Sequence, residues 1–84
     1  VPDGATDQHH GRYLTELHVP HGSPAIGKRG AEVLPLETGD AYLLEIRRSG
    51  TLLEQPRASE VQAGDALLLR GDWSELRKVR KALR

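Results

Sequence analysis

The chain is 84 residues long, with twelve basic and twelve acidic side chains, 37% hydrophobic residues and no Phe, Met or Cys. That size admits one small domain, and such a domain buries only about 60% of the surface its unfolded chain exposes. The cancelled charge gives no general attraction to nucleic acid or an anionic membrane, no apolar run nears the roughly 20 residues of a membrane-spanning helix, no secretory signal pattern is present, and the absence of Cys excludes disulfides and favours a reducing compartment.

Residues 1–11 are polar, with two glycines and no apolar period, and read as a linker or disordered arm ahead of a domain over 12–84. From Arg12 to Val19, the residues Tyr13, Leu17 and Val19 fall on one face, as in a half-buried strand. His21-Gly22 turns the chain. Ser23-Pro24 has the order of a helix N-cap and a first helical residue, and a short helix is expected to follow, beginning nearer Gly27 than Pro24 and ending before Pro35. Two alike segments follow, Gly39-Asp40-Ala41-Tyr42-Leu43-Leu44 and Gly64-Asp65-Ala66-Leu67-Leu68-Leu69, placed 25 residues apart. Each reads as a Gly-Asp turn launching an apolar strand. Their near-continuous apolar runs predict strands covered on both faces. Between them, Leu52 to Gln55 makes a short strand before Pro56.

The last segment reads as a helix. Asp72 stands as N-cap with Glu75 three residues on, the spacing of a capping box. Leu76, Val79 and Leu83 form an apolar stripe with Trp73 at its start, and Arg77, Lys78, Arg80, Lys81 and Arg84 cover the rest. The expected fold is α+β: a small β-α-β-β-β-α domain, mainly antiparallel sheet covered by two helices. A core of Leu, Val, Ile and Ala is thin, so a homodimer that buries more apolar surface is expected. The absence of Met fits a segment of a longer protein.

Gly22-Ser23-Pro24-Ala25-Ile26-Gly27-Lys28 nearly spells a phosphate-binding P-loop. It departs where it matters: Arg29 occupies the hydroxyl position that holds Mg²⁺, and Pro24 lacks one amide of the cradle. The chain is also far too short for a nucleotide hydrolase. His9, His10, His18 and His21 have no Cys or spaced carboxylate to complete the roughly four ligands of a zinc site, so they read as polar surface groups. No catalytic residue is expected, because Ser23, Ser49, Ser59 and Ser74 sit in no nucleophile motif. The final helix carries an excess of three positive charges, yet no interleaved aromatics accompany it, and nucleic-acid binding is not expected. Arg47-Arg48 ends a strand, so the two point to opposite faces and one of them serves any given site. The residues leave two readings open: surface solubilisation, or a guanidinium offered to an anion. Lys28 and a helix N-terminus at Ser23 to Lys28 would favour the same anion, with Ile26 as an apolar wall or a dimer contact.

The ordered set of motifs resembles the TrkA C-terminal domain family, also called the RCK C-terminal domain. A strand precedes Ser23-Pro24-Ala25-Ile26-Gly27-Lys28; then come Ile46-Arg47-Arg48-Ser49-Gly50, Leu53-Glu54-Gln55-Pro56 and Gly64-Asp65-Ala66-Leu67-Leu68-Leu69-Arg70-Gly71, from about Tyr13 to Leu83. The family's first helix is usually longer and richer in leucine than the stretch from Arg29 to Leu36, which Pro35 interrupts. The resemblance implies a cytoplasmic regulatory domain attached to a parent transmembrane ion transporter. Its relatives serve potassium transport or form paired insertions in sodium-coupled anion symporters, and Tyr13 to Val19 looks more like the symporter type. It also implies a paired copy of the domain and a small anionic or cyclic dinucleotide ligand, carried onto Ile26, Lys28, Arg29 and Arg47. A ligand-free dimerisation module and a small anion- or nucleic-acid-binding protein are the alternatives.

Overall fold

Two Gly-Asp turns were expected to launch the two apolar strands. The computed structural model describes residues 12–34 and 41–84, so the turn Gly39-Asp40 and the arm over residues 1–11 lie outside the described residues. The elements are β1 (Arg12–His18), α1 (Gly30–Val33), β2 (Ala41–Arg48), β3 (Thr51–Leu52), β4 (Ala66–Asp72) and α2 (Trp73–Leu83). This is the expected α+β order of strand, helix, three strands and helix. The sheet runs β1-β4-β2-β3 and every neighbouring pair is antiparallel.

Alternation decides which face of β4 is dry. Leu67, Leu69 and Gly71 are buried, while Ala66, Leu68 and Arg70 take the other face. The stripe Leu76, Val79 and Leu83 of α2 joins that buried set, together with Ala41, Leu43 and Ile46 from β2. Leu67 and Leu69 are fully buried, and each such side chain contributes about 1.5–3 kcal/mol of transfer free energy. Val19, Ala25, Val33 and Val61 close the core at the end where the chain leaves β1.

The near-continuous apolar runs of β2 and β4 are not sealed on both faces. α2 covers one side. On the other, Leu14 is 62% exposed, Leu52 48%, Tyr42 41% and Leu44 39%. The expectation of two covered faces therefore fails among the described residues.

One irregularity sets the phase of β2. Leu43 stands opposite Leu69 and Glu45 opposite Leu68, so Leu44 is an extra residue, a β-bulge. Before the bulge Ala41 and Leu43 face the core; after it Ile46 does. Arg48 follows Ile46 onto the helix side, and Arg47 goes to the open face. The hairpin into β3 is closed by Ser49 and Gly50 with φ of 53° and 80°, the pair of positive values that a two-residue turn matched to strand twist demands. β3 ends at Leu52, shorter than the expected run to Gln55.

The first helix starts later than expected, and the last starts where expected but without a side-chain cap. Ser23 does not cap a helix. Its Oγ accepts the Ala25 N–H at 3.1 Å and its carbonyl accepts the Ile26 N–H, which makes a turn, and α1 is a single turn that begins seven residues later at Gly30. At that turn the Glu32 carboxylate accepts the Arg29 N–H at 2.9 Å. Asp72 does occupy the N-cap position of α2, but its side chain makes no capping bond and instead accepts the Ser74 hydroxyl at 3.0 Å. Glu75 is buried and lies 3.4 Å from Lys78, so the expected capping box is absent.

Candidate functional site

After β1 the chain runs through residues 20–31 and pairs in part with the loop over residues 57–61. Gly27 N–H donates to Val61 O, Val61 N–H to Lys28 O, Gly30 N–H to Ser59 O and Ala31 N–H to Arg57 O, all within 3.0 Å. Every amide from Ala25 to Ala31 is thus committed inside the protein, to Ser23, Val61, Ala25, Glu32, Ser59, Arg57 or, for Ala25, the Ser23 hydroxyl. A phosphate cradle needs amides aimed outward. From Ala25 onward the loop that nearly spells one therefore has no amide to give, and the helix N-terminus expected there is absent. Recognition of an anion falls to side chains alone.

Four side chains were expected to serve a ligand. Ile26 is 40% exposed, and Lys28 and Arg29 are exposed on the same stretch. Arg47 sits opposite Ala66 on one side and Leu52 on the other, on the open face. His18 pairs with that same Ala66, so Arg47 lies at the end of the sheet from which the 20–31 segment departs. Ile26, Lys28 and Arg29 are thus exposed on one stretch of chain, and Arg47 stands at the end of the sheet from which that stretch departs. None of the hydrogen bonds between described residues joins Arg47 to the other three.

Arg48 has a different task, which the sequence did not single out. Its Nε donates to Asp65 Oδ1 at 2.8 Å and a terminal nitrogen donates to Asp65 Oδ2 at 2.9 Å. The same nitrogen donates to Glu60 O at 2.8 Å, and the Gln62 N–H donates to Asp65 Oδ2 at 2.9 Å. The guanidinium fork thus ties the end of β2 to the loop that enters β4, and that loop carries the 27–31 segment. Asp65 is fully buried, while 31% of the Arg48 side chain is exposed. Burial pushes the Asp65 carboxyl up, but the Arg48 hydrogen bonds, the Gln62 amide and the adjacent positive charge together hold it below the usual carboxylate range. The Asp65 hydrogen bond and charge raise the Arg48 pKa against its partial burial. The sequence signal was present as Gly64-Asp65 and Arg47-Arg48, but nothing in one dimension pairs them.

Across the open face, three rows can be read from the register. Leu14, Arg70 and Tyr42 make one; Glu16, Leu68 and Glu45 the next; His18, Ala66 and Arg47 the third. Arg70 lies over the Tyr42 ring at 5.9 Å, and Glu16 lies 3.5 Å from His18. No helix among the described residues is long and apolar enough to cross a membrane. No curated protein was found to match the chain. The family model of the TrkA-C domain matches residues 14–84, which includes both strand-launching apolar runs, the Arg48–Asp65 latch and α2. By that match and by its antiparallel α+β fold, the chain belongs to the TrkA-C domain family, a family of regulatory domains of ion-transport proteins.

Proposed function

We propose that the domain works as a pair, with two copies meeting through the open sheet face, and that an anion held by Lys28, Arg29 and Arg47 biases the arrangement of the pair and so the transporter that carries it. The observation that supports this most is the open face itself. Leu14, Tyr42, Leu44 and Leu52 are each about 40–60% exposed around Leu68, beside a core built without Phe or Met. A chain this small gains stability by burying such a face against a second copy. Arg47 stands on that face at the end of the sheet from which the segment with Lys28 and Arg29 departs, and in this reading the three cations hold the anion at that end of the pair. The family resemblance supplies a cyclic dinucleotide as the first candidate ligand. It also supplies the two settings, potassium transport and sodium-coupled anion symport, and a cytoplasmic place beside the membrane. The ligand acts by binding one arrangement better than the other, and a coupling of about 1–3 kcal/mol changes affinity or gating about 5–150-fold.

Two measurements test the reading separately. In sedimentation velocity at tens of micromolar, the chain is expected as a dimer, and Leu68→Arg is expected to weaken pairing about thirtyfold or more, the scale of a central interface residue. A wild-type monomer at those concentrations sinks the pairing. In a thermal-shift panel of cyclic dinucleotides, mononucleotides and organic anions, one class is expected to raise the melting temperature, with the rise lost in Lys28→Ala. A dimer that responds to none of them is an assembly module without a ligand.

A further inference from the structure

β1 is an edge strand. Over Arg12–His18 it pairs with β4, and among the described residues nothing pairs with its other side. α2 packs across β4 and β1 on the buried side of the sheet. Trp73 and Arg80 each lie three and four residues from the pair Leu76 and Arg77, so the four share one side of the helix. Together with Thr15 and Leu17 they line an open slot of about 250 Å³, solvent included. Leu76 is 2% exposed and Leu17 is half buried, which makes an aliphatic floor. Trp73 is 51% exposed and meets the edge of Tyr13 with ring centroids 5.7 Å apart, which holds one wall in place. The lining carries two positive charges and no negative one. A free row of backbone donors and acceptors beside an apolar slot is what an extended peptide uses to add itself to a sheet as a new strand.

We propose that the β1 edge receives an extended acidic segment of a partner protein as a fifth strand. One apolar side chain of the segment enters the slot, and its carboxylates meet Arg77 and Arg80. Charge selects this occupant. A second copy joining through its own β1 would bring its own Arg77 and Arg80 to the same seam, four guanidinium groups with no carboxylate in the lining to neutralise them. An acidic strand instead gives each guanidinium a carboxylate that fits its fork. The slot is on the helix side of the sheet, away from the open face, so it stands or falls independently of pairing between copies.

Trp73 is the chain's one tryptophan, so its emission reports on the slot alone. The probes are two capped peptides of about eight residues, one alternating Glu with Val and the other Lys with Val, a length that matches a typical strand. Titration with the acidic peptide is expected to change Trp73 emission to saturation and to slow amide exchange at alternate residues of β1; the basic peptide does neither. Arg77→Ala with Arg80→Ala is expected to weaken the acidic peptide about tenfold or more, the scale of rim charge pairs. Arg77→Glu with Arg80→Glu is expected to transfer the preference to the basic peptide, an outcome that a merely unfolded variant cannot give. Equal responses to both peptides overturn the proposal. So does saturation by benzoate with no protection of β1 amides, which would make the slot a small-anion site. Protection of β1 that grows with the concentration of the chain alone would assign the edge to a second copy and overturn it as well.

Discussion

Arg48→Ala destabilises the domain by about 3–5 kcal/mol, the cost of leaving one member of a buried ion pair without its partner. Asp65 is fully buried beneath the guanidinium, and three of the four hydrogen bonds at this junction end on its carboxylate. A domain of this length has a total stability of about 4–13 kcal/mol, so the variant sits near the edge of folding. Urea unfolding measures the loss, and a change within about 1 kcal/mol would mean the latch is idle. Arg48→Lys keeps the charge but not the two-pronged geometry, and is expected to fall between the two. The acid limb of the stability curve tests the same pair. Asp65 has its folded pKa lowered, so above the unfolded carboxylate pKa of about 3.9 the unfolded chain no longer binds the extra proton and the full contribution is present. As pH falls below that value the unfolded chain takes up a proton that the folded one refuses, and the contribution is lost as pH passes through the folded pKa. In Arg48→Ala the effect of burial is opposed only by the Gln62 amide, so acidification costs this variant less than it costs the wild type.

Gly30→Ala is the second large effect, at about 3 kcal/mol, the upper end of what overpacking costs. A Cβ at Gly30 would run into the Pro56 carbonyl oxygen, and would lie 2.6 Å from Leu43 Cδ2 and 3.1 Å from the Pro56 carbonyl carbon. Leu43 is a core side chain with nowhere to go. The Pro56 carbonyl cannot retreat cheaply either, because the bonds from Gly30 N–H to Ser59 O and from Ala31 N–H to Arg57 O hold that loop against α1. At about 4–8 °C per kcal/mol for a domain of this size, the melting temperature is expected to fall by roughly 12–24 °C. An unchanged melt would mean the loop yields and the contact is not the reason for glycine. That loop pairs with the segment that carries Lys28 and Arg29, so a displaced loop would also weaken any anion held by them.

The antiparallel α+β order was legible because its signals are local: alternation in β1, an apolar stripe at helical spacing in α2, turn residues between them. The stripe Leu76, Val79 and Leu83 is buried as its spacing demands. Local signals failed where two stretches of chain compete for the same group. Ser23-Pro24 has helix-starting chemistry, yet the 27–31 segment bonds to residues 57–61 instead, and those bonds use up the amides that a helix or a phosphate would need. Asp72 and Glu75 have capping-box spacing, but Glu75 is drawn inside toward Lys78.

Composition, motif order and periodicity determined the family, the element order and the thinness of the core, because each depends on residues near one another in the chain. Which arginine of the adjacent pair faces the latch was decided by the fold. One extra residue at Leu44 reverses the facing of everything after it in β2, sending Arg48 to Asp65 and Arg47 to the open face. A bulge puts two successive side chains off the core face and so breaks the alternation of period two, and only the pairing with β4 reveals where that happens. The bare sheet face is of the same kind: a run such as Leu67-Leu68-Leu69 states that both sides are apolar, and only packing shows that α2 reaches one of them.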